Sequence, residues 1–190
     1  MRYIYGLFGT LIIIFGIYTS GIYLDLYGKL EGPGNSINSE LPRSLIDQKY
    51  ESQRSFNREK QILFGDTHVH TTYSTDAFLW SLPILNGEGP HPISDACDFA
   101  RFCANLDFWV TTDHAEALTP RKWKSIKEAV RNCNKPTDQQ EPDLVTFLGF
   151  EWTQVGDTAK NHYGHKNVMF RDVEEDEVPK RPIGAGGIAT

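Results

Sequence analysis

The chain has 190 residues, of which 39% are hydrophobic and 23% are charged. This length and composition are typical of a globular protein and exclude a long disordered chain. The net charge is -6, and acidic residues concentrate at positions 173–177, so the sequence lacks the lysine and arginine cluster that marks a nucleic-acid surface. We therefore expect no nucleic-acid partner.

The N-terminal segment is apolar. Residues 3–24 carry no charge, and Arg2 lies just before them. About 20 apolar residues are needed for a helix that crosses a bilayer, so residues 1–27 predict a transmembrane signal anchor with the following chain in the periplasm or outside the cell. The alternative is a signal peptide cleaved near Thr19-Ser20-Gly21, which leaves a secreted protein. Ile22-Tyr23-Leu24 prolongs the apolar run and favours the anchor.

Residues 28–61 are polar and show little sustained periodicity, so we interpret them as a linker in which residues 45–60 can form a solvated helix. From residue 62 onward, apolar segments of two kinds alternate. They predict strands at 62–67, 108–112, 144–150 and 165–170, and helices at 95–104 and from Pro120 onward. Strands that alternate with helices form βα units with a parallel sheet, so we expect an α/β fold.

Two polar residues mark the starts of the predicted helices. Ser94 is the expected N-cap of the first, and Thr119 followed by Pro120 is a common start signal for the second. The expected apolar face of the second helix consists of Trp123, Ile126, Val130 and Cys133.

The cysteines are three in number: Cys97, Cys103 and Cys133. Outside the cytoplasm two of them can form a disulfide with the third left over. An equally weighted alternative is three small buried residues. None has CxxC spacing, so a structural zinc site of the finger type is not indicated.

Residue types that commonly bind metal ions follow three of the predicted strands. His68, His70 and Asp76 follow the first, Asp113 and His114 the second, and Glu151 the third, with His162 and His165 beyond it. Active sites of βα barrels are assembled from residues at the carboxyl ends of separate parallel strands. The sequence therefore predicts a metal cluster. His91, the remaining histidine, lies between two prolines, and we assign it to a loop.

The alternation of side chains along a strand refines this prediction. His68 and His70 are two residues apart, so in an extended chain they share one face and can bind the same ion. Asp113 directly precedes His114 and would point the other way. We expect Asp113 to act as an acceptor that orients a ring rather than as a ligand.

Four short motifs carry a family resemblance. The HxH pair, Thr112-Asp113-His114, the Gly149-Phe150-Glu151 motif and a later histidine resemble the polymerase and histidinol phosphatase (PHP) superfamily of metal-dependent phosphoesterases. Within it, residues 62–183 look like the DUF3604 family, through these motifs with their flanking residues, Tyr163-Gly164-His165-Lys166-Asn167 and Leu63-Phe64-Gly65-Asp66. The resemblance implies a distorted βα barrel of PHP type. Because a full barrel takes about 250 residues, residues 62–190 are expected to be the N-terminal portion of an incomplete barrel.

The resemblance also implies roles for particular residues. His68 and His70 would bind one metal, and Asp76, His114 and Glu151 would complete or bridge a cluster of two or three ions, which are zinc, manganese or iron. The later histidine ligand would be His165, which opens a strand, with His162 as the alternative. Lys160 and Lys166 are candidates for contacting a substrate phosphate, and Glu116 is a candidate acid or base.

The expected function is that of a metal-dependent hydrolase, phosphoesterase-like, that acts through a metal-activated water on an unidentified small molecule. Two alternatives stay open. One is hydrolysis of a non-phosphate bond, as in amidohydrolase-like barrels, because the same chemistry serves both. The other is a non-catalytic, metal-stabilised binding module at the membrane surface.

Overall fold

The computed structural model describes residues 2–23, 34–53, 61–80, 91–135, 142–154, 156 and 158–184. The chain divides into two compact units, Met1–Gly32 and Pro33–Thr190. The candidate ligands all belong to the second unit.

The first unit contains helix α1 (Arg2–Tyr23). Spanning a bilayer takes about 20 consecutive, predominantly apolar residues. The apolar residues of α1 are interrupted by four glycines and by Thr10 and Thr19, whose hydroxyls donate to the carbonyls of Gly6 and Phe15. Of the helices in the described ranges, none has the length and apolar character needed to cross a membrane. The predicted N-terminal transmembrane helix is therefore wrong.

The second unit alternates helices with strands. Its helices are α2 (Arg43–Gln53), α3 (Thr75–Trp80), α4 (Ile93–Asp98) and α5 (Pro120–Asn134). α4 continues directly into a π-helical turn, Phe99–Cys103, and a short 3-10 turn, Ala115–Ala117, lies before α5. Its strands are β1 (Gly65–Val69), β2 (Phe108–Thr111), β3 (Val145–Gln154) and β4 (Gly164–Phe170).

The four strands form one curled sheet in the order β1-β2-β3-β4. β1, β2 and β3 are parallel, as predicted, whereas β4 is antiparallel to β3. The reason is the connection, because the short segment between β3 and β4 has no helix in its described residues, and a parallel pair needs a long crossover. The curl is marked by Asn167 on β4, whose Nδ2 donates to the carbonyl of Thr67 on β1 at 2.7 Å. The second unit is thus an α/β half-barrel.

The hydrophobic core lies where α4 and α5 pack against the sheet. The predicted inner face of α5, formed by Trp123, Ile126, Val130 and Cys133, is fully buried. Trp123 contacts Phe150 of β3 edge to face, with ring centroids 6.0 Å apart. This packing places α5 over the middle of β3.

The start of α5 is also as predicted. The Thr119 hydroxyl accepts from the backbone N–H of Lys122 at 3.3 Å, and Pro120 is the first helical residue. The prediction for α4 is wrong in its cap. α4 begins at Ile93 after Pro92, so Ser94 lies inside the first turn, and Pro92 offers no side chain that could cap it.

Within residues 28–61, interpreted as a linker, α2 contacts the segments just before β2 and β3 through Lys49. The ammonium of Lys49 is buried and donates to the carbonyl of Leu106 at 2.5 Å and to that of Asp143. Burial lowers the pKa of Lys49, and the carboxylate of Asp107 acts in the opposite direction. Lys49 therefore ties α2 to the segments that lead into β2 and β3.

Gly149 allows the strands around Glu151 to approach closely. A Cβ atom at this position would lie 2.7 Å from the carbonyl oxygens of both Thr111 and Val168. Any larger residue would have to displace the backbone of β2 or β4. Gly149 therefore fixes the spacing of three strands just before β3 presents Glu151.

A disulfide joins Cys97 of α4 to Cys133 of α5, and Cys103 is free and exposed. Of the two open alternatives, the paired arrangement with one cysteine left over is the one found. The bond closes a loop of 36 residues. The disulfide therefore links α4 covalently to α5, the two helices that cover the sheet.

Cys97→Ser is expected to lower the free energy of unfolding by about 2–4 kcal/mol, because the loop between the two helices is no longer closed in the unfolded chain. Urea denaturation under non-reducing conditions measures this loss. Cys103→Ser is the matched control and should leave the stability unchanged. Equal stability of the two variants would show that the disulfide does not stabilise the fold.

Candidate metal centre

The candidate ligands meet at one edge of the sheet. His68 lies in β1, His70 follows β1, and His114 follows β2, where it forms an isolated parallel bridge with Glu151 of β3. The carboxyl ends of parallel strands share one edge of a sheet, which brings these side chains together. His165 reaches the same edge from β4, because that strand is antiparallel and its start pairs with Thr153 near the end of β3.

Glu151 lies at the centre of this cluster. Its Oε2 is 2.7 Å from Nε2 of His70 and 3.1 Å from Nε2 of His68. Its Oε1 is 2.5 Å from Nδ1 of His165, and Nε2 of His114 lies 3.8 Å from Oε2. The Glu151 side chain is only 3% exposed. Each carboxylate oxygen therefore faces imidazoles from a different part of the sheet.

Asp76 lies on the other side of His70, in the first turn of α3. Its Oδ2 is 3.0 Å from Nδ1 of His70 and 3.4 Å from Nε2 of His114. If His70 binds an ion through Nε2, its Nδ1–H is free to donate to Asp76. A carboxylate in this position fixes the tautomer and the orientation of a ligating ring.

The four histidines and two carboxylates described above form three groups of three residues. Within each group, the ligand atoms lie within 4.8 Å of one another. The groups are His68, His70 and Glu151; His70, Asp76 and His114; and His114, Glu151 and His165. Glu151 belongs to two groups, and its Oε2 faces His68 and His70, whereas its Oε1 faces His165. A bridging carboxylate of this kind is what a multinuclear centre requires, with ions roughly 3.5–4 Å apart.

The pKa values of both carboxylates lie below their usual values. Burial alone would raise the pKa of Glu151, but the charges of His114 and His70 outweigh it and hold the pKa below its usual range. Burial would likewise raise the pKa of Asp76, but the backbone N–H of Ala77 and the His70 side chain lower it below its usual value. Both groups are ionised at neutral pH.

Asp113 is fully buried, and its partners differ from the prediction. It accepts from the backbone N–H of Thr71 at 2.6 Å and from the Thr71 hydroxyl at 2.9 Å, rather than from an imidazole. Burial raises the pKa of Asp113, which the bonds from Thr71 partly oppose. Asp113 therefore holds the backbone immediately after His70 and positions that ligand indirectly.

Two hydroxyl residues support the histidines and were given no role in the sequence interpretation. The Ser74 hydroxyl accepts from the backbone N–H of His114 at 2.8 Å. The Thr153 hydroxyl lies 3.1 Å from Nδ1 of His114 and 3.2 Å from Nδ1 of His165. The period of two along a strand could have identified Thr153, because it shares a face with Glu151.

The remaining candidates lie outside the three groups. His162 and Lys160 are exposed in the loop before β4. Lys166 alternates with His165, and its ammonium donates to the carbonyl of Tyr163 and lies 5.9 Å from the ring centre of Trp152. Glu116 is partly buried in the 3-10 turn that follows His114. Of the two later histidines, the structure brings His165, and not His162, to the cluster.

The fold and the site define an α/β protein with a cluster of metal-binding residue types at the carboxyl ends of its strands. The family model described as "Protein of unknown function (DUF3604)" matches residues 57–122 and 109–186, well over half of the chain. The chain therefore belongs to the DUF3604 family, as its motifs predicted. No curated protein and no solved structure matches it.

Proposed function

We propose that this protein is a metal-dependent hydrolase of the phosphoesterase type, with two or three divalent ions bound by the cluster around Glu151. The observation that carries the proposal is the position of Glu151, whose two oxygens face imidazoles from β1, from β4 and from the end of β2. Three segments converge on one buried carboxylate. Structural packing alone does not require such a concentration of histidines.

The donor set fits divalent transition metals. Imidazole nitrogens and carboxylate oxygens suit zinc, manganese and iron, and no thiolate is present in the three groups. Bound ions would lower the pKa of a coordinated water from about 15.7 toward 7 and would neutralise charge on a phosphate ester. The protein's own contribution is to hold the ligands, with Asp76 and Asp113 fixing His70 from two sides.

We also propose placement in the PHP superfamily and location in an oxidising compartment. The first rests on the HxH pair, the Thr112-Asp113-His114 motif and the Glu151 motif, which meet in space. The second is supported by the Cys97–Cys133 disulfide, because such bonds are rare where thiols are kept reduced. A periplasmic or extracellular location satisfies that condition.

The test combines metal analysis with a substrate panel. The purified chain is reconstituted separately with zinc, manganese and iron, its metal content is measured, and phosphate esters, amides and lactones are offered as substrates. We expect at least two ions per chain and turnover of phosphate esters alone. His165→Ala should lower the metal content, whereas His162→Ala, three residues away, should not.

Other outcomes separate the rival functions. Turnover of amides or lactones without phosphate esters would contradict the phosphoesterase assignment in favour of a non-phosphate hydrolase. Stoichiometric metal with no turnover of any substrate would favour the metal-stabilised binding module. A chain that binds no metal would contradict the phosphoesterase, the non-phosphate hydrolase and the metal-stabilised binding module alike.

A further inference from the structure

A cavity of about 660 Å³ lies beside the candidate metal centre, between β1 and the α4 helix with its π-helical turn. His68 and His70 belong to its wall, so the cavity and the cluster share two side chains. Its volume is within the range of pockets that hold small organic ligands. The rest of its lining is largely apolar, including Ala96, Phe99, Ala100, Ala104, Leu106 and Trp109.

The sequence opens this space by placing small residues at regular intervals. Ala96, Ala100 and Ala104 are four residues apart, so they share one side of the helical segment. Their side chains are too short to fill the gap toward β1. Phe99 lines the cavity and is 63% exposed, so its ring is open to contact with a ligand.

Trp109 forms a buried part of the cavity wall. It lines the cavity, its side chain is 1% exposed, and its indole N–H has no acceptor among the described residues. A buried donor without an acceptor costs about 1–3 kcal/mol.

A histidine outside the metal cluster lines the same cavity. Nδ1 of His91 lies 3.5 Å from Oδ2 of Asp95, and both residues contribute to the cavity wall. The backbone of His91 is fixed, because its carbonyl accepts from the N–H of Thr72 at 3.0 Å. His91 can therefore offer a polar contact to a molecule that also reaches His68 and His70.

We propose that this cavity binds the aromatic body of an aryl phosphate ester, with the phosphate group at His68 and His70 and the ring against Phe99 and Trp109. This inference rests on the proposed function and narrows its substrate class. Asp66, His91 and Asp95 also line the cavity, but its apolar residues disfavour a highly polar alcohol, because polar groups buried against them would lose their hydrogen bonds to water. The two aromatic residues favour a ring, which they can contact edge to face or by offset stacking.

The test measures binding of phenylphosphonate and methylphosphonate to the metal-loaded chain by calorimetry. Phenylphosphonate should bind at least about tenfold more tightly, because only its ring buries apolar surface in the cavity. Ala104→Phe fills the cavity from an exposed position and should abolish this preference while changing methylphosphonate binding by less than about twofold. Cys103→Phe adds a ring of the same size at the neighbouring exposed position, outside the cavity lining, and should preserve the preference.

The possible failures are distinguishable, provided that thermal melts show both variants folded. Equal binding of the two phosphonates, or an aryl preference that survives Ala104→Phe, would overturn the assignment of the cavity even if phosphate esters are hydrolysed. No binding of either phosphonate would also overturn it. An aryl preference that Ala104→Phe removes, in a protein that hydrolyses nothing, would support the cavity and contradict only the catalytic function.

Discussion

Glu151→Gln is expected to weaken metal binding by at least about 100-fold. Replacing a residue that only supports a ligand costs up to about 100-fold, and Glu151 is itself a candidate ligand. The substitution keeps the shape of the side chain but removes the negative charge shared by His68, His70 and His165. Because Glu151 belongs to two of the three ligand groups, both should lose affinity together. Equilibrium dialysis followed by elemental analysis gives the affinity and the stoichiometry.

Glu116→Gln is the matched control for this experiment. Glu116 is partly buried near the end of β2 but belongs to none of the three ligand groups in the described chain. Its substitution should change metal affinity by less than about twofold. Full retention of metal by Glu151→Gln would contradict the bridging role, and an equal loss in both variants would point to a general effect of charge.

Asp113→Ala is expected to lower the free energy of unfolding by about 1–3 kcal/mol, because the buried N–H of Thr71 loses its acceptor. The backbone after His70 should loosen, so metal affinity should fall as well. Asp113→Asn keeps an oxygen that can accept from this N–H and should retain more of both properties. Denaturation of the metal-free chain measures stability, and equal effects of Ala and Asn would contradict a role for this bond.

The difference in stability between wild type and Asp113→Asn is expected to change with pH in one direction. Burial raises the pKa of Asp113 in the folded chain, so folding favours its protonated form. The stabilising contribution of that proton is present below the unfolded pKa and is lost as pH rises through the folded pKa. Wild type should therefore gain stability relative to Asp113→Asn as pH falls from neutral toward mildly acidic values, with both chains metal-free. The opposite trend would show that Asp113 is stabilised as an anion.

The sequence was most informative where one physical rule dominates. The apolar period of α5 and the Thr119-Pro120 start predicted that helix and its buried face. The parallel pairing of the first three strands followed from the helices between them. For the cluster, the placement of ligand-type residues after separate strands was enough to predict that His70, His114 and Glu151 meet.

Other features could not be predicted from local sequence patterns, because they depend on how distant segments pack together. The antiparallel β4 depends on the course of a short connection, and that reversal is what brings His165 to Glu151. Alternation placed Asp113 away from its neighbour His114 but could not show that Thr71 would lie within hydrogen-bonding distance. His91 lies in a loop, as predicted, but its contact with Asp95 and its place in the cavity wall depend on the packing of α4 beside β1, which the sequence does not show.

The N-terminal segment shows the limit of counting uncharged residues. Residues 3–24 lack charges, yet glycine and hydroxyl residues recur among them, and α1 is not apolar enough over a sufficient length to cross a membrane.

Anomalous X-ray diffraction from crystals of the metal-loaded chain, recorded at the absorption edge of the bound ion, locates the ions directly. One peak should lie about 2.0–2.2 Å from ligand atoms of His68, His70 and Glu151, and a second at similar distances from His114, Glu151 and His165. Peaks confined to surface carboxylates, or none near Glu151, would contradict the existence of a metal centre at this edge of the sheet.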